Sequence, residues 1–463
     1  MTYTNDTIAA ISTANGVSAI GVIRISGAEA VAVLRKLFTP FGKAAITDYR
    51  PGQLVHGRAL SADGAVLDDC CAVYSLAPNS YTGEDSAEIQ CHGSPVALAA
   101  VLRSCFHSGA RQAERGEFTK RAFLNGKLDL IEAEAVAELI DAETEEQVTN
   151  AARQLLGAAS RRITGVYDSL LDVLSHFFAV IDYPDEDIED FAAKGYLALL
   201  EAARTELQEI GSSFTRGKIL KNGVPAAIVG KPNVGKSSLL NALAGFERAI
   251  VTDIPGTTRD TVEEKIIVSG TLLRLTDTAG LRETNDAIEK IGVERARLAL
   301  EGADVIICVF DGSRPLDAED RDIFAQLPAD KTCIAVVNKS DLPQEIEFTE
   351  LKSQFLRICS VSAATGAGLD ALTAELKSAA DELADRAGSF AAGEIITSER
   401  QHEAISRAGR ALADVAAKIA AGVSADACLF GLESAAAYLG EAIGKNVTDD
   451  TVETIFSRFC VGK

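Results

Sequence analysis

The chain has 463 residues, enough for two to four domains of ordinary size. It is 47% hydrophobic and 24% charged, which excludes a disordered or fibrous polymer. With 45 Lys plus Arg against 67 Asp plus Glu the formal net charge is −22. That excludes bulk polyanion binding and leaves room only for a local nucleic-acid patch.

Residues 1–126 mix β-rich runs with turn signals and read as an α+β domain. Ile20–Ile25 is an expected strand ended by Ser26-Gly27, and Gly64 and Pro78-Asn79-Ser80 mark turns. The first sixteen residues lack a basic head followed by an apolar block, so no secretory signal is expected. From 127 to 222 the pattern is helical. Val148, Ala152, Leu155, Ala159, Ile163, Val166, Leu170, Leu174 and Phe177 recur at spacings of three and four, predicting one long helix. It should stop near Asp182-Tyr183-Pro184. Acidic residues dominate Asp182–Asp190, which reads as a solvated loop, with metal binding as the alternative.

From 223 to 384 short apolar runs alternate with helical stretches: Val224–Val229, Leu272–Leu275, Val305–Phe310 and Cys333–Val337. That pattern predicts a doubly wound parallel sheet. Helical periodicity returns from 385 to 463. Ser398-Glu399-Arg400-Gln401 opens a helix as a capping box, and Ile405, Ala408, Leu412, Val415 and Ile419 give its apolar face. Helix-rich segments thus flank an α/β unit, as expected of one domain inserted into another. The apolar runs are too short to span a bilayer, so no membrane partner is expected. Nine cysteines without a C-x-x-C pair read as reduced thiols of a cytoplasmic protein. Five histidines without H-E-x-x-H argue against a zinc enzyme. The terminal Cys460-Val461-Gly462-Lys463 is rejected as a prenylation box because Gly462 and Lys463 are wrong for it.

Gly230-Lys231-Pro232-Asn233-Val234-Gly235-Lys236-Ser237 fits G-x-x-x-x-G-K-[ST] between an expected strand and an expected helix, the context of a phosphate-binding loop. Its glycines let backbone N–H groups close around phosphates, and the helix N-terminus adds positive potential. Lys236 would reach the β and γ phosphates, and Ser237, followed by Ser238, would ligate magnesium. Asp277-Thr278-Ala279-Gly280 ends the next strand: Asp277 can hold magnesium through water, and the Gly280 N–H can meet the γ-phosphate. Asn338-Lys339-Ser340-Asp341 follows Ile334–Val337. A carboxylate such as Asp341 can accept from guanine N1–H and N2–H₂, a donor pair adenine lacks, so GTP is selected. Ser362-Ala363-Ala364 offers a backbone N–H to guanine O6. Between these lies Thr252-Asp253-Ile254-Pro255-Gly256-Thr257-Thr258-Arg259-Asp260, where a threonine can complete the magnesium shell and respond to loss of the γ-phosphate. Order and spacing are those of a GTPase.

The glutamine that orients water in Ras-like GTPases is replaced by Leu281. Arg259 and Arg282 can act as arginine fingers, or be plain surface arginines. Asn233 offers another route, through a monovalent cation held against the phosphates by its side-chain carbonyl; its bland reading is a turn residue after Pro232.

Several segments together resemble the bacterial and organellar tRNA-modification GTPase family MnmE/TrmE over nearly the full length. They are Gly21–Gly27, Tyr81–Glu88 with Gln90–Gly93, Gly116–Thr119 with Arg121–Leu130, the nucleotide motifs, and Phe459–Lys463. The resemblance implies an α+β folate-binding-like N-terminal domain that dimerises, an all-α helical domain, and an inserted α/β P-loop GTPase domain. It implies a 5-formyl- or 5,10-methylene-tetrahydrofolate site at Arg24, Glu88, Lys127 and Lys463. It implies potassium ligands at Asn233, Thr252, Ile254 and Thr257, a magnesium ligand at Thr258, and a distant general base at Glu289. Cys460 matches the family's terminal cysteine, a catalytic candidate beside Lys236 and Glu289 whose role as nucleophile stays open. The implied activity is potassium-stimulated GTP hydrolysis coupled to addition of an aminomethyl or carboxymethylaminomethyl group at C5 of the wobble uridine of tRNA. A homodimer would act with an FAD-using MnmG-like partner as a heterotetramer. Two departures stand out: Asn15–Ala19 lacks the family's glycine-rich run, and Ala364 replaces a common lysine. The competing readings are a GTPase switch of ribosome assembly and a scaffold with vestigial nucleotide binding.

Overall fold

The computed structural model describes residues 6–42, 45–182, 193–246, 263–277 and 300–463. Two compact units emerge. The first comprises residues 1–140, 154–207 and 404–463, and the second comprises 141–153 and 208–403. In sequence the second is carried by two segments inserted into the first.

The first unit holds a seven-stranded sheet: β1 (Ile8–Ile11), β2 (Ser18–Ser26), β3 (Phe38–Pro40), β4 (Val55–Leu60), β5 (Val66–Ser75), β6 (Ser86–Gly93) and β7 (Arg111–Gln112). Their order is β3-β4-β5-β6-β2-β1-β7, antiparallel except for β1 with β7. β2 contains the expected strand Ile20–Ile25. Strand side chains alternate between faces, so Ile23, Ile25, Ala87, Ile89 and Cys91 point into one core. Helices Ala30–Leu37 and Pro95–His107 cover that face through Val33, Leu34, Leu98, Val101 and Cys105. Ser94 caps the second helix by accepting from the Ala97 N–H, and Pro95 suits its first turn. Arg24 and Glu88 sit opposite each other on neighbouring strands and face the other way. Burial pushes the Cys105 thiol up to about 12, and all nine cysteines are unpaired.

The apolar stripe from Val148 to Phe177 does not form one helix. The chain is helical over Glu145–Leu155 and again over Ala158–Asp182. Gly157, at φ +80°, takes the left-handed conformation that ends the first helix. A period of 3.6 survives such a break, so the stripe alone could not reveal it. The second helix buries Ile163, Leu170 and Leu174 and packs on the helix Ala425–Ile443. It ends at Asp182; the acidic run beyond lies outside the described residues. A helix does open at Glu399 and runs to Ala420, with Ile405, Ala408, Leu412 and Val415 buried and Ile419 half-buried, but Gln401 Oε1 accepts no hydrogen bond, so the expected capping box is not formed.

A buried ion cluster fixes the short helix Glu117–Leu124. The Arg121 side chain, 5% exposed, donates to Glu117 Oε1 at 2.9 Å and Asp6 Oδ1 at 2.7 Å, and lies 3.2 Å from Glu84 Oε2. Arg111 closes on the same Glu117 and Asp6 at 2.5 Å. Burial alone would raise the Glu117 and Asp6 carboxyls, but Arg111 and Arg121 outweigh it and hold both below the usual range. A depressed carboxyl pKa adds stability that is present above the unfolded value and is lost as pH falls through the folded one. Glu117→Gln is therefore expected to be less stable than the native chain near pH 7 by about 2–4 kcal/mol. The gap should shrink below about pH 4, the unfolded carboxyl range. Urea titrations of both chains at several pH values check this; a gap that does not change with pH would contradict it.

The second unit holds β8 (Val224–Val229), β9 (Glu263–Val268), β10 (Thr271–Asp277), β11 (Val305–Asp311), β12 (Thr332–Asn338) and β13 (Arg357–Ser360). The order is β13-β12-β11-β8-β10-β9, parallel except for β9 against β10. Helices cover both faces, so the central strands are buried on both and read as continuous apolar runs. Ile228, Leu273, Ile307 and Val336 pack with Leu239, Leu372 and Leu376 on one side. Ala227, Ile306, Phe310 and Val337 pack with Leu351 and Phe355 on the other.

Candidate functional site

The strand order of the second sheet changes direction at β8, whose next neighbours β10 and β11 both follow it in sequence. Ligands of open α/β sheets bind beyond the carboxyl ends of the strands at such a point. Gly230 follows β8 there, and the helix Lys236–Phe246 starts six residues later. The turn needs left-handed backbone at Asn233 (φ +64°) and Gly235 (φ +98°). A Cβ on Gly235 would strike the Asn338 amide, so only glycine fits. Val234 anchors the loop in the core at 1% exposure, while Asn233, Ser237 and Ser238 are exposed. Lys236 Nζ donates to the Gly230 and Lys231 carbonyls, both at 2.8 Å, so the ammonium lies across the loop.

Asn338, at the end of β12, ties three motifs together. Its amide donates to the Val234 carbonyl at 2.9 Å and its Oδ1 accepts from the Ala363 N–H at 3.0 Å. Asn338 is 3% exposed. Lys339 takes a left-handed backbone (φ +64°) and donates to Asp311 Oδ2 at 2.6 Å. Burial would raise the Asp311 carboxyl; Lys339 and Ser313 outweigh it and hold it below the usual range. The buried Ser362 hydroxyl donates to Asp341 Oδ1 at 2.6 Å, orienting an exposed carboxylate. Loop 362–367 is closed by Ser362 N–H to Ala367 and Gly366 N–H to Ser362. Ala364 stands exposed beside it.

Thr252, Asp253, Ile254, Pro255, Gly256, Thr257, Thr258, Arg259, Thr278, Ala279, Gly280, Leu281, Arg282 and Glu289 lie outside the described residues, as does the side chain of Asp277. The backbone of Asp277 ends β10 opposite Ile228 of β8, beside the phosphate loop.

A second group of candidates gathers in the first unit. Arg24 Nε donates to Glu88 Oε1 at 2.9 Å, and both side chains are partly exposed. The guanidinium lies 5.2 Å from the centre of the Tyr81 ring and 5.8 Å from that of Phe118. Tyr81 is hydrogen-bonded to Thr119 at 2.9 Å. The loop that carries Tyr81 also receives Lys127, whose Nζ donates to the Pro78 carbonyl at 3.2 Å. The chain terminus docks beside Phe118. Lys463 accepts from the Phe118 N–H at 3.1 Å, Gly462 from the Ser12 hydroxyl at 3.0 Å, and Cys460, itself exposed, from the Gly116 N–H at 3.3 Å. Arg24, Glu88, Lys127 and Lys463 thus belong to one neighbourhood built around the loop at Tyr81 and the helix at Phe118. Sequence reasoning did not single out Tyr81 or Phe118 as site residues; the aromatic within each signature segment was the available signal.

A phosphate loop at the switch point of a mostly parallel sheet, pinned to an N-K-x-D loop and an S-A loop, defines a P-loop GTPase. Two family models divide the chain between them: "GTP-binding protein TrmE N-terminus" matches residues 7–127 and "MnmE helical domain" matches residues 130–460. The tRNA modification GTPases MnmE of Acetivibrio thermocellus and Laribacter hongkongensis are 41% and 43% identical to it, each aligned over 100% of both chains. That of Clostridioides difficile is 39% identical over the same full extent. The chain belongs to the tRNA modification GTPase MnmE family.

Proposed function

We propose that the protein is a potassium-stimulated GTPase that modifies the wobble uridine, position 34, of certain tRNAs. With an FAD-dependent MnmG-like partner it adds an aminomethyl or carboxymethylaminomethyl group at C5, from a tetrahydrofolate one-carbon unit. The observation that carries this is the convergence of three guanine-nucleotide loops at the carboxyl ends of the strands of one sheet, in a chain alike to tRNA modification GTPases along its whole length. In the same reading residues 1–126 bind folate and dimerise, 127–222 and 385–463 form the helical domain, and 223–384 hydrolyse GTP. The dimer joins the partner as a heterotetramer in the cytoplasm. Among the described residues no helix is long and apolar enough to cross a membrane.

The residues present fit the implied ligands. Asp341, oriented by Ser362, accepts from the guanine edge. The Ala363 N–H is committed to Asn338, so the donor to guanine O6 falls to Ala364. Lys236 has its ammonium where phosphates would displace two loop carbonyls. Ser237, at the helix start, together with Thr258 would hold magnesium, which neutralises phosphate charge when bound. Asn233 is exposed at the tip of the loop and is free to turn its carbonyl toward a monovalent cation, with Thr252, Ile254 and Thr257 as the other ligands. Glu289 is the proposed general base. In the first unit a carboxylate, three cationic groups and two rings suit a ligand with a pterin ring and a carboxylate tail.

GTP hydrolysis by the pure protein in potassium chloride and in sodium chloride, at equal ionic strength, tests the mechanism. Potassium should raise the rate by about tenfold or more, and Asn233→Ala should abolish the difference. Equal rates in both salts would overturn the cation reading and leave Arg259 and Arg282 to be tested. No hydrolysis in either salt would overturn the GTPase reading.

A further inference from the structure

The segment after β11 carries charges that no nucleotide motif accounts for. Asp311 closes the strand, and Arg314, Asp317 and Asp320 follow. In the sheet β11 lies between β8, which leads into the phosphate loop, and β12, which leads into the guanine loop. Its end is therefore set between two loops that hold opposite ends of a nucleotide.

Ion pairs fill that position. At the phosphate loop Lys231 Nζ meets Asp317 Oδ2, with Glu319 at 3.4 Å and Asp320 at 3.5 Å. The other Asp317 oxygen accepts from the Glu319 and Asp320 N–H groups, capping the helix Ala318–Gln326. Arg314 approaches Asp317 at 3.2 Å, Asp320 at 3.8 Å and Asp311 at 3.8 Å. Asp311 in turn accepts from Lys339 at 2.6 Å, and its second oxygen accepts from the Ser313 N–H and hydroxyl. Charge alternates in sign from Lys231 to Lys339, through residues 86 positions away from Lys231 in sequence at Asp317.

We propose that this alternating chain couples the phosphate loop to the guanine loop, with Arg314 as its central positioning residue. The grip on the base then depends on a residue at the phosphate end. The inference rests on reading the site as one for guanine nucleotides. The side chains of Lys231, Asp311 and Asp320 are 9%, 10% and 3% exposed, so water screens these members little, while the linking Arg314 and Asp317 are 34% and 48% exposed. Removing Arg314 leaves Asp311 to Lys339 alone and Asp317 and Asp320 to Lys231 alone, so the two ends of the chain lose the cation they share and the neighbouring pairs must rearrange. At the far end, Lys339 adjoins Asn338 and stands two residues before Asp341, so a shift in its partner Asp311 is passed to the base-reading carboxylate.

The test is calorimetric binding of GDP and of inosine diphosphate to the full chain, for the native protein, Arg314→Met, Arg314→Lys and Lys231→Met. Inosine diphosphate lacks the 2-amino donor, so the ratio of the two affinities reads the guanine loop alone. Arg314→Met is expected to lower that ratio by about tenfold, in the range of ordinary coupling between sites. Arg314→Lys should restore most of it, and Lys231→Met, at the phosphate end, should lower it as well. Should Arg314→Met fail to fold, Lys231→Met carries the same comparison. Ratios within about twofold of the native value overturn the coupling, even where both affinities fall together, because a uniform loss is what a purely structural role produces. A native chain that binds neither nucleotide overturns the guanine-nucleotide reading, and the coupling with it.

Discussion

Lys236→Ala is expected to lower kcat/KM for GTP by about a thousandfold, the upper end for removing one preorganised donor from a charge-stabilising site. The Lys236 ammonium donates to the Gly230 and Lys231 carbonyls, both at 2.8 Å, so it already lies inside the loop that would surround the phosphates. No rotamer search is needed when phosphate arrives; two ammonium–carbonyl hydrogen bonds are exchanged for bonds in which both partners are charged. The loop's shape does not depend on this side chain. Val234, Gly235 and Asn338 set it, so the apo variant should unfold at nearly the native temperature. Steady-state hydrolysis and thermal unfolding, run side by side, check both halves. Activity within about tenfold of native would contradict the role assigned to Lys236.

Asn338→Ala is expected to act on stability and binding together. One side chain satisfies the Val234 carbonyl and the Ala363 N–H, and it is 3% exposed. Its loss leaves one buried and one partly buried backbone group unpaired, at a cost of about 2–4 kcal/mol for the unit. It also unties the phosphate loop from the loop that faces the base, so GDP affinity should fall by about a hundredfold, equivalent to about 2.7 kcal/mol. Asn338→Asp should be no better: it keeps an acceptor for Ala363 but turns a carboxylate on the Val234 carbonyl. Denaturant unfolding and GDP titration of the two variants decide the matter. Affinity within about threefold of native in Asn338→Ala would contradict the pinning role.

The four inner strands of the nucleotide-binding sheet were legible because they are buried on both faces; the edge strands β9 and β13 were not delimited. Val224–Val229 forms β8 with the ends read from the sequence, and Val305–Phe310 falls one residue short of β11. Motif order also located the loops, since each must follow a strand of that sheet. The helix break at Gly157 was not legible, because a periodic stripe carries no mark of a two-residue interruption. Nor was the cluster of Arg111, Arg121, Glu117, Glu84 and Asp6, whose members lie up to 115 residues apart. A buried charge looks like a surface charge until its partner is placed. The same holds for Lys231, which reads as a variable position of the phosphate loop and turns out to be tied to Asp317 and Asp320. Arg24 and Glu88 differ: cross-strand register makes them neighbours, and only the family resemblance pointed to them as a site.

The central claim is that GTP hydrolysis by this chain serves tRNA modification. It is tested most directly by nucleoside analysis of tRNA from cells that lack the native protein and carry either the intact chain or Lys236→Ala. The account predicts C5-modified wobble uridine with the intact chain and unmodified uridine with Lys236→Ala. Unchanged modification in cells that lack the protein altogether would contradict it, and would turn attention to a GTPase switch acting elsewhere on RNA.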